Sequence, residues 1–357
     1  MPFSPNHPFD LPLLPPATDL EHPQLLKALL AARVELGELK GFSAALPDPM
    51  ILLSPAIVRE SVASSGIENI RTTVESALQQ ELFPEPERRE EDKEVLRYSA
   101  AVRWGLDQLP TLPISSRLIT GIQRQLLPDN AAGFRTTPNW IVDAAGQPVY
   151  TPPRAADIPR LLSNWENFIN QADAPLDPLL RCAIGHYQFE AIHPFGDGNG
   201  RTGRILMVLH LVQEGLLTQP TLFISGYINR YRSTYYRLLL EVSSHSNWLE
   251  FLLFMLAGFQ QQARETKEDL LAIIQLSQSF KQQMREKQVR VPLEMAELVF
   301  AHPVTTPLQA SRETGMHYKT TSRHLAQLTV AGLLESRQVG RYHFYLNRPL
   351  LDRLNRT

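Results

Sequence analysis

The stretch His193-Pro194-Phe195-Gly196-Asp197-Gly198-Asn199-Gly200-Arg201-Thr202-Gly203-Arg204 constrains this chain more than any other. It sets a histidine, a carboxylate, four glycines and two arginines ahead of Ile205–Leu217, an apolar run that reads as a buried helix. A helix N-terminus exposes unpaired N–H groups and a partial positive charge, so anions bind there. Gly198 and Gly200 allow the backbone to approach a phosphate closely, and Asn199 tolerates a left-handed turn. Arg201 and Arg204, at i and i+3, bring guanidinium forks to one helix face. Asp197 is a hard oxygen ligand suited to Mg²⁺ beside phosphates. His193 can take a proton near neutral pH. The stretch implies a site for nucleotide phosphates with a base beside it.

Two other chemistries fit fragments of the same stretch. Gly198-x-Gly200-x-x-Gly203 matches a dinucleotide-binding fingerprint, which needs a preceding strand and an acidic residue about 20 positions later. The lead-in here is helical, and Gln219–Ser225 holds no acid. His186, Glu190 and His193 could ligate a metal, but the spacing is not His-Glu-x-x-His and no further ligand cluster follows. His186 and Glu190 at i, i+4 read as a helix pair near the core.

The stretch resembles the signature of the Fic family, His-x-Phe-x-Asp/Glu-Gly-Asn-Gly-Arg-x-x-Arg, and meets every fixed position. Eight fixed positions match by chance below about one time in 10⁹ per start site. The lead-in His186-Tyr187-Gln188-Phe189-Glu190-Ala191-Ile192 agrees with many members. The resemblance implies transfer of AMP from ATP, with Mg²⁺, to a Ser, Thr or Tyr hydroxyl of a target protein. It implies His193 as the base and Asp197 as the metal ligand. Gly198, Asn199, Gly200 and Arg201 would cradle phosphates, and Arg204 would hold the γ-phosphate. Tyr236 resembles a position near the adenine. Phe195 is expected to point inward and anchor the loop. Ser64-Ser65-Gly66-Ile67-Glu68-Asn69 resembles the family's inhibitory motif, in which Glu68 would pair with Arg204. Ser64 and Glu68, four apart, are expected on one helix face. Removal of AMP by the same site, and a transcription regulator that only senses nucleotide, are the competing readings. An intact His193 argues against the second, because binding alone needs no base.

The formal net charge of −2 carries no global nucleic-acid or membrane footprint. The single cysteine, Cys182, excludes an internal disulfide and reads as a buried thiol. The first 20 residues contain no Lys or Arg, so no secretory signal is expected, and the run at Phe251–Phe259 is too short to span a bilayer. A cytoplasmic protein without a membrane partner is expected, and a homodimer is compatible with the sequence.

Helical spacing dominates the chain. The fold class expected is all-α: a Fic helical bundle with a β-hairpin flap, plus a C-terminal winged helix. The domains expected are a helical extension over 1–112, the catalytic core over 113–260, a linking helix over 261–289 and the winged helix over 290–357. Residues 1–18 are proline-rich and read as an extended surface wrap. Ser54-Pro55 reads as a cap and start of a helix running towards Leu82. Trp140-Ile141-Val142 and Val149-Tyr150-Thr151 flank Asp143-Ala144-Ala145-Gly146 and read as a hairpin. By the resemblance this hairpin, residues 139–153, is a flap that docks the target by strand addition. The plain alternative is a surface hairpin with no partner.

From about residue 290 the pattern is helix, helix, helix and hairpin, resembling a winged helix-turn-helix. Lys319, Arg323 and His324 would face a DNA groove, and Arg337 and Arg341 would line the wing. Residues 291–357 carry eight basic and five acidic residues, net +3. That charge is small enough to leave DNA binding and protein contact both open.

Overall fold

The computed structural model describes residues 3–44, 50–130, 133–171 and 175–355. It is predominantly helical. In chain order it runs α1 (Pro23–Ala44), α2 (Met50–Ile67), α3 (Val74–Glu81), α4 (Glu90–Gln108) and α5 (Ser116–Leu126). A hairpin follows, β1 (Ile141–Val142) and β2 (Pro148–Tyr150). Then come α6 (Ile158–Ile169), α7 (Pro178–Ile192), α8 (Asn199–Gln213), α9 (Ser225–Arg230), α10 (Arg232–His245) and α11 (Trp248–Glu286). The last part holds α12 (Leu293–Ala301), β3 (Val304–Thr305), α13 (Pro307–Thr314), α14 (Tyr318–Val330), β4 (Glu335–Val339), β5 (Tyr342–Leu346) and α15 (Arg348–Leu354).

The chain forms two compact units, and neither is continuous in sequence. One comprises Met1–Gly41 with Ala100–Arg264; the other comprises Phe42–Ser99 with Glu265–Thr357. The sequential boundaries expected at 112, 260 and 289 are therefore not the unit boundaries. The reason lies in α2 and α3, which pack on α12, α15 and β3.

In the first unit α7 is the central element. Asp177 caps its start, accepting from Leu179 N at 2.8 Å, with Pro178 in the first turn. Nearly all of its side chains are buried, and α6 and α8 pack against it. The α7–α8 contact is close at Gly203, where an added Cβ would stand 2.3 Å from Glu190 Oε1 and 3.2 Å from Phe189 Cδ1. α5 turns Leu118, Ile119, Ile122 and Leu126 inward at helical spacing. The N-terminal segment has no helix before Pro23 and is tied down by side chains. Leu14 N donates to Asn164 Oδ1 at 2.7 Å, and Gln188 Nε2 donates to the Pro12 carbonyl at 2.8 Å.

In the second unit the helix expected from Ser54 to Leu82 is two helices. α2 begins at Met50, so Pro55 lies inside it rather than at its start. It ends after Ile67 in a Schellman closure: Asn69 is left-handed (φ 66°), Asn69 N donates to the Gly66 carbonyl and Ile70 N to that of Ser65. Thr73 then caps α3, accepting from Ser76 N. Asp92, fully buried, staples the break by accepting from Thr72, Ser76 and Arg89.

The C-terminal elements are the three helices and the hairpin that the sequence predicts, with one antiparallel sheet in the order β3-β5-β4. β3 completes this sheet and lies outside the sequence expectation. The wing does not project freely. Arg337 and Arg348 pair with Glu75 at 2.9 and 2.8 Å, and Tyr342 Oη donates to Glu87 at 3.0 Å, where Arg341 also pairs. Phe83 meets Tyr342 edge-on at 4.6 Å between ring centres. His324, expected to face a groove, is instead buried, while Lys319 and Arg323 are exposed. Among the described residues no helix is long and apolar enough to cross a membrane.

Candidate active site

His193 is the residue on which α7 ends. It takes a left-handed conformation, φ 49° and ψ 60°, uncommon for a residue with a Cβ. This turn sends the chain away from α7 and into the loop that opens α8. His193 Nδ1 lies 3.3 Å from the Glu190 carbonyl oxygen. A carbonyl can only accept, so this contact calls for a proton on Nδ1, and in the neutral ring the basic lone pair is then on Nε2. That is the tautomer a general base needs.

The loop is closed from inside by Asn199. Its Oδ1 accepts from Phe195 N and its Nδ2 donates to the Phe195 carbonyl, both at 2.9 Å. The Asn199 side chain is buried and holds the shape of the loop. Phe195 is fully buried against Phe134, 5.3 Å between ring centres, and anchors the loop as expected. Gly198 precedes α8 at φ 81°, a conformation that favours glycine, and supplies no side-chain cap. Gly198 has no side chain to cap the first N–H groups of α8.

Asp197 is the exposed member of the group, its side chain 61% accessible. Its Oδ1 accepts from Gly198 N at 2.6 Å and lies 3.4 Å from Arg201 Nη2. Arg201 and Arg204 are both buried, on the inner side of the helix start. Among the described residues no cluster of three or more His, Cys, Asp or Glu side chains could hold a metal. A single exposed carboxylate still fits Mg²⁺, which takes one or two carboxylates and completes its shell from phosphates and water.

Behind the loop, His186 Nε2 bonds the Tyr235 hydroxyl at 2.7 Å and its ring lies 4.0 Å from Glu190 Oε1. Burial first, and the Arg204 charge second, push its pKa down to about 3. His186 is thus neutral at working pH and serves as structure, as the helix-pair reading expects. Tyr235 joins α10 to α7 and escaped the sequence reading, which chose its neighbour. Tyr236 is exposed, with the Arg232 guanidinium 5.8 Å from its ring centre.

The hairpin forms where the sequence puts it, with Ile141 opposite Tyr150. Asp143 Oδ1 accepts from Ala145 N and Gln147 N, both at 2.9 Å, and sets the turn. Trp140 and Val142 are more than half exposed, whereas Tyr150 is buried and its hydroxyl donates to the Ala191 carbonyl at 2.9 Å. Arg135, before the hairpin, was also missed. It has no motif around it, and its acceptors are all main-chain carbonyls.

Ser64 and Glu68 belong to the second unit. Ser64 is buried in the last turn of α2. Glu68 is the exposed residue just past the helix, so the two do not share a helix face as expected. The early stop set by Asn69 is the cause.

Three family models match in succession: "Fic/DOC family N-terminal" over residues 26–107, "Fic/DOC family" over 113–211 and "Protein adenylyltransferase SoFic-like, C-terminal domain" over 276–350. The chain is 29% identical over 185 residues to a protein adenylyltransferase Fic of Drosophila grimshawi, covering 49% of this chain and 36% of that protein. It is 34% identical over 107 residues to one from Aedes aegypti, covering 30% and 20%. The chain thus spans about a third or less of the length of these curated relatives. A Fic family protein from Desulfovibrio desulfuricans G20 has a similar fold, with TM-score 0.56, 21% identity and coverage of 93% of this chain and 98% of that one. Fic-1 from C. elegans gives TM-score 0.52 at 20% identity, over 69% and 72%. With an unbroken signature on a loop of matching fold, and family models spread over most of its length, the chain belongs to the Fic family.

Proposed function

We propose that this protein is a protein adenylyltransferase that moves AMP from ATP to a Ser, Thr or Tyr hydroxyl of a target protein. The observation that carries the reading is the contact of His193 Nδ1 with the Glu190 carbonyl, which in the neutral ring leaves Nε2 to act as the base beside a helix N-terminus. In this reading the target hydroxyl oxygen attacks the α-phosphorus, Nε2 takes its proton, and the bond to pyrophosphate breaks. The backbone at Gly198, Asn199 and Gly200 receives the phosphates with Arg201, and Arg204 holds the γ-phosphate. Asp197 would hold Mg²⁺, which when bound offsets phosphate charge. Catalysis here is positioning plus charge stabilisation. The target docks along the 139–153 hairpin by main-chain bonds, a reading supported by the exposed Trp140 and Val142. Tyr236 would lie near the adenine, as the resemblance implies.

The same proposal includes restraint by Glu68, which would occupy Arg204 and hold ATP in a pose unfit for in-line attack. The string Ser64–Ile70 ahead of an intact signature supports it. For the C-terminal domain the proposal takes protein contact over duplex DNA. Arg337, Arg341 and Arg348 are already paired with Glu75, Glu87 and Glu335 in their own unit, which favours a protein-contact role for the wing.

The test is incubation of the full chain with ATP labelled at the α-phosphate, Mg²⁺ and a cell lysate. His193→Ala should lower AMP transfer by about 10²–10⁴-fold while nucleotide binding persists, the usual loss for a general base. Glu68→Gly should raise transfer above the unsubstituted protein. Full labelling by the His193 variant would sink the assigned role. Loss of AMP removal in the Glu68 variant would mark the protein as a remover of AMP.

A further inference from the structure

A helix leaves its last carbonyls without intrahelical partners. At the end of α7 every one of them is accounted for, and the donors come from two places. His193 Nδ1 takes the Glu190 carbonyl, as described. The next carbonyls are taken by residues flanking the hairpin. Tyr150 Oη donates to Ala191 at 2.9 Å. Arg135 donates from Nη2 to Ile192 at 3.3 Å, from Nε to His193 at 2.8 Å, and from its backbone N–H to Pro194 at 2.8 Å. The same guanidinium reaches both feet of the hairpin, bonding the Thr137 carbonyl at 3.2 Å and the Pro153 carbonyl at 2.6 Å.

The guanidinium of Arg135 is buried, 8% exposed, and all its acceptors are peptide oxygens. A cation at the carbonyl end of a helix is favoured by the helix dipole. Its planar fork is what allows one side chain to serve Ile192, His193, Thr137 and Pro153 together. His193 is held in a left-handed turn against the preference of an L-residue, and its own carbonyl is one of those bonded.

We propose that Arg135 is a positioning residue that indexes the hairpin to His193, so that a hydroxyl presented on the hairpin arrives at Nε2. It never touches the reacting atoms; it fixes the distance between the surface that receives the target and the base. The inference rests on the adenylyl-transfer reading for its kinetic consequence, though not for its structural one.

The experiment uses the full chain in a Glu68→Gly background, with Arg135→Lys as the main variant and Arg135→Ala as the second. Lysine keeps the charge but cannot fork to carbonyls on both sides. Two readouts are taken: AMP incorporation from α-labelled ATP as a function of ATP concentration, and hydrogen exchange by mass spectrometry. Arg135→Lys should slow labelling by about 10–100-fold, the scale of a small misplacement of reacting groups. Half-saturation by ATP should stay within about threefold, since the phosphate site is untouched. Amide exchange should quicken over 137–153 and 191–195 and stay unchanged in α5 and α6. Full labelling by Arg135→Lys, or exchange that rises evenly through the unit, would overturn the proposal. If the Glu68→Gly background itself fails to label, the adenylyl-transfer reading falls, and the exchange pattern alone decides whether Arg135 couples hairpin and histidine.

Discussion

Acid should weaken this protein well before its carboxylates titrate. Two fully buried histidines set the size of the effect. Burial, with the Arg204 charge, lowers His186 from 6.5 to about 3; burial lowers His210 from 6.5 to about 4, a bond to the Pro178 carbonyl partly opposing it. Both folded values lie below the unfolded one, so the unfolded chain binds protons first as pH falls. The stability these histidines contribute is complete above about pH 6.5 and is lost on acidification towards 3 to 4. At pH 5 the unfolded imidazoles are almost wholly protonated and the folded ones neutral. By proton linkage each histidine then costs about 2 kcal/mol relative to pH 7, or about 4 kcal/mol together. The assay is urea unfolding at pH 7 and pH 5, a window above most carboxylate titration. His210→Gln keeps a donor for the Pro178 carbonyl and should remove about half of the pH-dependent loss. If that variant shows the full loss, the reasoning about the buried imidazoles is wrong.

The remaining expectations are shorter. Gly203→Ala places a Cβ 2.3 Å from Glu190 Oε1 and 3.2 Å from Phe189 Cδ1. It should cost about 1–3 kcal/mol of stability, the usual penalty of overpacking, and a thermal melt would show it. Glu75→Gln with Glu87→Gln removes two of the three carboxylates that pair with Arg337, Arg341 and Arg348, leaving Glu335. If the wing has latent affinity for duplex DNA, a gel shift should appear in this double variant, weaken steeply with salt, and be absent from the unsubstituted chain. A shift of equal strength in both proteins would show that the acids do not mask the wing.

The signature loop was legible because its chemistry is confined to consecutive residues, and a helix start after glycine can be read from residue type. Caps such as Thr306-Pro307 and Asn347 followed the same local rules. Direction was not legible. Asn199 has the right type for a phosphate cradle, yet its amide turns inward to Phe195, and His324 has the right type for a groove but is buried. Arg135 lies 58 residues from His193 in sequence, and its partners are peptide oxygens that every residue carries. The early end of α2 depends on one left-handed asparagine, which moved Glu68 off the helix. The interleaving of units was invisible because the apolar faces of α2 and α12 show nothing of their mutual fit.

The discontinuity of the second unit bears on how the chain must be made. Residues of α2 such as Ile57, Val58 and Ile67 are buried at 0–2% exposure. The helices that share their unit, α12 and α15, are synthesised long after α2, with the first unit's residues 100–264 in between. Until then α2 and α3 are emerged without these partners, the kind of transiently exposed apolar surface that invites chaperone binding or aggregation. Products that stop before residue 265 should be insoluble or rapidly degraded even though they contain the whole signature. A fragment beginning near residue 285 would bare the complementary faces, so any binding it showed would report an orphaned surface rather than the protein's own. Assembly of the unit that carries Glu68 waits for α12 and α15, which would tie any restraint by that residue to their synthesis.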